Sequence, residues 1–464
     1  MTQKWWVLAS VACGTFMATL DSSVVNIALP TLTKELDADL FRIKWVVIIY
    51  LLMITCLVLP FGRLSDQRGR KPIFQWGYFI FILGSFLCSL APSLRWLIVC
   101  RGVQAVGASM LMANGPAIIT STFSPRERGS ALGVLSMVVS AGLVSGPSFG
   151  GFAIAHLGWR SIFWLNVPIG MIGIWLVHLF VKKDPPHRAH VPFDWAGTVL
   201  QTVLLLLLIT VFDPPFISIS GSQLISVSRW AVLGVILVLG FVFIKVEAAA
   251  RAPLLDLSLL KNRTFWTANV AGFFSFVSFS SISVLMPFFL EETLHFSTKR
   301  AGLFMTAIPL TIFAVAPVSG RLSDRFGSQE LSFLGALIGA TGLFFMAGAF
   351  GSGISASSPP LQIILSLCTI GFAMGLFQSP NNSAIMGSVP SQKLGVASAL
   401  LATVRNLGLV LGTGLSTSLL SWRMQITGDF VTAFHTTLSV AGFIAIGAMI
   451  AALGKRRGRF HGDI

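Results

Sequence analysis

A chain of 464 residues in which 54% are hydrophobic and only 11% charged, with a mean hydropathy of +0.82, carries too much apolar surface for a water-soluble protein of this size. A formal charge of +15 would suit nucleic acid, but the 32 Lys and Arg are scattered between apolar runs, so no nucleic-acid partner is expected and a polytopic protein of the lipid bilayer is. The five cysteines (Cys13, Cys56, Cys88, Cys100, Cys368) all lie within apolar runs, which suggests neither disulfides nor a metal cluster; His187 and His190 read as two exposed loop imidazoles.

At about 17 to 25 apolar residues per crossing, fourteen membrane spans are predicted. They lie near 5–29, 43–61, 73–91, 95–119, 130–155, 161–181, 193–212, 229–246, 264–289, 299–318, 331–349, 361–387, 394–420 and 432–453. The first is as long as a bilayer crossing and lacks a small-residue cleavage site, so no cleavable signal is expected. An even count puts both termini on one side. Of the 32 Lys and Arg, 21 fall in loops on that side, 9 on the other, and two, Arg101 and Arg405, within spans. The positive-inside rule then makes the termini cytoplasmic, in a cell inner (plasma) membrane.

The segment after span 2 reads Gly62-Arg-Leu-Ser-Asp66-Gln-Arg68-Gly69-Arg70-Lys-Pro72, and 258 residues later the segment after span 10 reads Gly320-Arg-Leu-Ser-Asp324-Arg-Phe-Gly327. The ends of spans 4 and 12 also correspond, with Pro116 before Pro125-Arg-Glu-Arg-Gly and Pro380 before Pro390-Ser-Gln-Lys-Leu-Gly. The expected fold is an all-α integral membrane protein of two pseudo-symmetric six-helix bundles, residues 1–181 and 251–464, with an inserted hairpin at 182–250. Duplicated bundles of this kind hold a substrate site near the bilayer midplane, which points to a carrier.

Several of these segments carry a family resemblance. GRLSDQRGRKP resembles the loop 2–3 signature of the major facilitator superfamily, and Arg101-Gly-Val-Gln104-Ala-Val-Gly resembles its span 4 motif. Gly142-Leu-Val-Ser-Gly146-Pro147-Ser-Phe-Gly150-Gly151 is similar to the antiporter motif that uptake carriers of the superfamily usually lack. LDSSVVNIALP, Trp159-Arg-Ser-Ile-Phe-Trp-Leu-Asn-Val-Pro-Ile-Gly170 and the two extra helices resemble the fourteen-helix EmrB/QacA type of drug:proton antiporter. The resemblance implies multidrug efflux: export of small hydrophobic substrates in exchange for protons by alternating access, with no cofactor beyond the proton gradient. The chain would act as a monomer, with or without a periplasmic adaptor. Two alternatives stay open, an exporter of one specific metabolite or organic anion and a non-transporting membrane sensor. No nucleophile constellation, paired carboxylates, metal set or phosphate loop suggests an enzyme.

The residues themselves define the candidate sites. A carboxylate near the middle of a span costs about 2.5–3.5 kcal/mol on insertion scales, so Asp21 needs a partner or a task. It lies nine residues before Pro30, some 14 Å deep at about 1.5 Å per residue, in the same layer as Arg101 and Gln104 of span 4. These three form the expected proton-coupling site; a static ion pair holding spans 1 and 4 together is the competing reading. Gly142, Gly146, Gly150 and Gly151 around Pro147 suit close helix packing, expected at a contact between the halves. Loop 62–72, with Gly62, Asp66, Arg68, Gly69 and Arg70, reads with Asp324 as a conformational latch whose carboxylate meets the start of span 13 near Leu394. Arg405 is expected either to bond carbonyls of span 12, taken as interrupted at 378–382, or to face the cavity toward an anionic substrate. Asn26, Gln378 and Asn381 complete the candidate substrate cavity, and 251–263 reads as an interfacial helix.

Overall fold

The computed structural model describes residues 3–37, 43, 45–182, 194–212, 229–249, 259, 261–296, 298–351 and 360–454, apart from some side chains, Asn26, Pro147 and Gly151 among them. The expectations for His187, His190, most of 251–263 and the basic tail lie outside the described residues. All regular structure among the described residues is helical. In hydrocarbon a lone segment satisfies its backbone N–H and C=O groups only by coiling into a helix, and these apolar sequences do so.

The first set comprises α1 (Gln3–Glu35), α2 (Trp45–Arg68), α3 (Arg70–Ser89), α4 (Leu94–Thr122), α5 (Arg128–Leu157), the single turn α6 (Ser161–Trp164) and α7 (Asn166–Phe180). Next come α8 (Trp195–Phe212) and α9 (Arg229–Ala249). The second set comprises α10 (Arg263–Phe288), α11 (Thr298–Met305), α12 (Ala307–Phe326), α13 (Ser328–Gly351), α14 (Pro360–Gly387), α15 (Leu394–Thr427) and α16 (Phe430–Leu453). Side-chain oxygens start several of them: Ser93 accepts from Trp96 N, Asn262 from Phe265 N, and Asp429 from Val431 N and Thr432 N.

Twelve segments among the described residues are long and apolar enough to cross a membrane, six in each set once α6–α7 and α11–α12 are each counted as one. The expected spans 7 and 8 coincide with α8 and α9, which pack on one another, α8 also touching α2 and α15. The described apolar stretch of α8, Ala196–Leu207, is shorter than a crossing, and α9 is not among the twelve either, so the described count is twelve where fourteen were expected.

Two local expectations are corrected. The segment 62–72 is not a loop: α2 runs to Arg68 and α3 starts at Arg70, leaving one break at Gly69. Gly69 has φ 95° and its repeat mate Gly327 has φ 97°, a region L-residues avoid, so the duplication extends to the backbone. Charges read as a loop are here the last turns of α2 and the first turn of α3. Nor is the twelfth expected span interrupted, since α14 is continuous through Pro380. Proline removes the hydrogen bond to the carbonyl four residues earlier; that carbonyl, of Leu376, accepts instead from Ser319 Oγ at 3.0 Å.

The apolar cores show where the sets meet. One core joins Val58, Leu59, Ile118 and Leu132 of the first set to Ile385, Leu394, Val396 and Ala399 of the second. A core around Val24, Val46, Leu97 and Phe163 stays within the first set, and one around Phe289, Leu343, Leu367 and Phe434 within the second. The sets are therefore fused at the end of the bundle that carries Asp66 and Asp324, called the latch end below.

Candidate functional site

Helices α1, α4 and α7 bring Asp21 together with Arg101, Gln104 and Asn166. Arg101 Nη1 donates to Asp21 Oδ2 at 2.5 Å, while Gln104 Nε2 and Asn166 Nδ2 donate to Oδ1 at 2.8 and 2.9 Å. Gln104 Oε1 accepts from Arg101 Nη1 at 2.6 Å, and Gln104 Nε2 also donates to Ser85 Oγ of α3 at 2.7 Å. Arg101 Nε donates to the Val46 carbonyl of α2 at 3.1 Å, and the guanidinium lies 4.0 Å from the ring centroid of Tyr50 and 5.9 Å from that of Phe163. Asp21 is 3% exposed and Arg101 and Gln104 fully buried, so the network is sealed inside the first set and does not open onto the space between sets.

This arrangement satisfies both conditions a buried ion pair needs: close charge contact, and hydrogen bonds on the remaining lone pairs and donors. Its chemistry follows from that balance. The three donors fill three of the carboxylate's about four lone-pair sites, so a proton on Asp21 has a site to take, and what it removes is the negative charge facing Arg101. Breaking one side of a buried pair costs about 3–5 kcal/mol, enough to tip a two-state equilibrium. Depth alone groups Asp21, Arg101 and Gln104; Asn166, Ser85 and Tyr50 are absent from that reading. Their only signal is a polar or aromatic side chain on an apolar helix, which does not say which neighbour it meets.

At the latch end, Asp66 of α2 accepts from Gly395 N at 2.8 Å and Val396 N at 2.9 Å, at the first turn of α15. Asp324 of α12 accepts from Gly129 N at 2.8 Å and Ser130 N at 2.9 Å, at the first turn of α5. Each carboxylate caps a helix of the opposite set, where orphan amides and the helix dipole favour negative charge. Close approach makes this fit: a Cβ on Gly62 would meet Ala399 and the Gly395 carbonyl, and one on Gly320 the Gly129 carbonyl. Asp66 is 7% exposed and has Arg70 Nη2 at 3.4 Å; that guanidinium also donates to the Ser391 carbonyl. Arg68 is exposed and stands outside the contact. Nearby, Lys4 Nζ hydrogen-bonds Glu127 at 2.5 Å and, with a bond from Ser124 Oγ, holds that carboxyl below its usual range.

The remaining candidates separate. Gly142, Gly146 and Gly150 face Thr19, Ser23 and Val24 of α1, within their own set, and not the other half as expected. α5 packs against α12 and α14 of the second set, its glycines Gly129 and Gly133 lying against Gly320 and Ala316 near the latch end. Gly142-Leu-Val-Ser-Gly146 has a counterpart in Gly408-Leu-Val-Leu-Gly412 of α15, whose glycines face Phe276, Val277 and Ser280 of α10. The match belongs to the same duplication as the two latches. The backbone of Pro147 and Gly151 lies in α5. Asn381 is buried and donates to the Ala268 carbonyl at 3.0 Å, which takes it out of the candidate cavity. Gln378 is half-buried, and the Asn26 side chain is outside the described residues. Arg405 does not bond the backbone of α14, whose freed carbonyl is already taken; its Nη2 lies 3.9 Å from Met112 Sδ of α4, across the seam between sets.

Comparison with known proteins agrees with this architecture. The model of the Major Facilitator Superfamily matches residues 11–413. The riboflavin transporter RibZ of Clostridioides difficile is 36% identical over 443 residues, 95% of this chain and 93% of its own. The uncharacterized transporter YebQ of Escherichia coli is 31% identical, covering 96% and 94% of the two chains, and the multidrug resistance protein Stp of Mycobacterium tuberculosis is 28% identical, covering 90% and 76%. Among solved structures, the human organic anion transporter MFSD10 superposes with a TM-score of 0.70 at 16% identity, covering 97% of this chain and all of its own. The chain belongs to the Major Facilitator Superfamily and is a multi-pass membrane transporter.

Proposed function

We propose that this transporter is a proton-coupled antiporter that exports small hydrophobic molecules by alternating access, with Asp21 as the proton-binding group. The observation that carries the reading is a buried carboxylate held by three donors from two other helices, a network that among the described residues only the first set contains. In one conformation Asp21 is ionised and sealed against Arg101. In the other it is open to the side from which protons enter, and protonation loosens the pair. A proton gradient of one pH unit supplies about 1.4 kcal/mol per proton, and a single deep carboxylate suits a low stoichiometry. The latch contacts belong to the conformation closed at that end and would part in the other. In this reading α8 and α9 complete fourteen spans, the latch end is cytoplasmic and the proton gradient is the sole energy source.

A second reading, a carrier dedicated to one metabolite, is favoured by the 36% identity to a riboflavin transporter over 95% of the chain, above that of the multidrug relatives. The test is transport into inverted membrane vesicles with an imposed pH gradient. Wild type should concentrate substrate, and Asp21→Asn should lose uphill transport by at least a hundredfold while still exchanging substrate without a gradient. Uphill transport by Asp21→Asn at the normal rate would sink the proton-coupling role; uptake of riboflavin alone from a chemically varied panel would select the second reading.

A further inference from the structure

The hydrogen bonds joining the two sets form a graded series. At the latch end, backbone amides bind Asp66 and Asp324, and Ser379 Oγ donates to the Gly129 carbonyl. Farthest from that end are the contacts of Arg405 and Asn406, the latter donating through Nδ2 to Thr55 Oγ1 of α2 at 3.4 Å. Among the described residues no hydrogen bond crosses the seam beyond them, and from there the apolar cores of the two sets are separate. Arg405 comes eleven residues after Leu394, about 16 Å along α15 from the latch end.

Its bonding is incomplete. A guanidinium carries five N–H donors, and the contacts made are Nε to Asn406 Oδ1 at 3.5 Å and Nη2 to the Met112 thioether at 3.9 Å, both at the weak limit. No carboxylate pairs with it among the described residues, in contrast to Arg101 and Arg70. It is partly exposed, as is Asn406, so the free donors have room before them. A permanent cation at this depth costs several kcal/mol unless an acceptor meets it, and no carboxylate among the described residues does so.

We propose that Arg405, with Asn406 held in place by the buried Thr55, is a substrate subsite for an anionic or acceptor-rich edge of the transported molecule, a carboxylate, a phosphate or the dione edge of a heteroaromatic ring, with Met112 against its apolar part. This rests on the carrier reading above and narrows its substrate class: the same charge disfavours lipophilic cations. The planar fork of Arg suits a two-point contact with such an edge, which Lys cannot reproduce.

The test is equilibrium dialysis of the purified full chain, without any pH gradient, against fluorescein and riboflavin 5′-phosphate as anionic probes and ethidium as a cationic one. Wild type should bind at least one anionic probe and bind ethidium at least tenfold more weakly. Arg405→Gln should weaken the anionic probe at least tenfold, and Arg405→Lys nearly as much, with thermal unfolding in detergent unchanged within a few degrees as the folding control. Failure of folded wild type to bind either anion, equal affinity for ethidium, or unaltered anion binding by Arg405→Gln each overturns the subsite. A fall equal in Arg405→Lys and Arg405→Gln supports the fork geometry over charge alone. Gradient-driven uptake by wild type and Asp21→Asn, measured in parallel, separates the two claims: coupling can fail with the subsite intact, and the subsite can fail with coupling intact.

Discussion

The two sets of helices repeat the same latch but fill their interiors differently. Gly62 and Asp66 are matched by Gly320 and Asp324, down to the left-handed backbone at Gly69 and Gly327 and the pair of amides each carboxylate binds. Inside, Asp21 and Ser85 of the first set correspond to Phe279 and Leu343 of the second, and the packing of Gly77 on Gly107 and of Gly335 on Ala373 sets Gln104 opposite Ile370. Phe279, Leu343 and Ile370 line an apolar cavity of about 30 Å³ where the first set holds a charged network. Symmetry is thus kept where the sets must meet and abandoned where one must do something the other does not. Among its described residues the second set folds without a buried ion-pair network, so the network in the first is not a requirement of this bundle.

Making the first set resemble the second gives the largest expected effect. Arg101→Leu leaves Asp21 buried without its cation, a change that costs about 3–5 kcal/mol when one partner of a buried pair is removed. The variant should lose gradient-driven transport and unfold in detergent at a clearly lower temperature than wild type. Unchanged transport would mean that the pair only fills space.

The latch sharpens the comparison at an intermediate scale. Asp66 is nearly buried and has Arg70 beside it, whereas Asp324 is half-buried and has no ion pair among the described residues. Charge at a helix N-terminus is worth about 0.3–2 kcal/mol, rising with burial. Asp66→Asn should therefore shift the population closed at the latch end about tenfold, and Asp324→Asn only two- to threefold, as read by spin-label distances between the latch ends of α2 and α15 or of α5 and α12. Equal shifts would contradict the reading that burial decides the difference.

The smallest effect concerns the aromatic face on Arg101. A cation–π contact is worth about 0.5–2 kcal/mol; with the hydrogen bonds of the network still holding Arg101, Tyr50→Leu should slow transport about fivefold, whereas Tyr50→Phe, which keeps the ring, should stay within about twofold. A Phe variant as slow as Leu would move the role from the ring to the hydroxyl, which donates to the Ala18 carbonyl at 3.4 Å.

Much of this was legible in the sequence because bilayers impose depth. Counting residues from the ends of spans puts Asp21, Arg101 and Gln104 in one layer, and the repeat pairs Asp66 with Asp324 and points the former at the start of α15. What stays hidden is lateral. Depth does not say that Asn166 turns toward Asp21, that Gly146 faces Ser23 in its own set, or that Asn381 turns to the Ala268 carbonyl. Rotation of each helix about its axis decides those contacts, and rotation is set by packing. The charged run at 62–72 misleads for a related reason, since helix ends at the membrane surface carry the same residues as loops. Pro380 misleads because a serine on another helix satisfies the carbonyl it frees.

The central claim is that one carboxylate in the first set changes its hold on a proton when substrate binds. The most direct measurement is proton release from purified protein in weakly buffered solution containing a pH indicator, on addition of a transported compound, wild type beside Asp21→Asn. Release from wild type, approaching one proton per molecule, and none from Asp21→Asn, with substrate still bound by both, is the predicted result. Equal release from the two proteins would contradict the account.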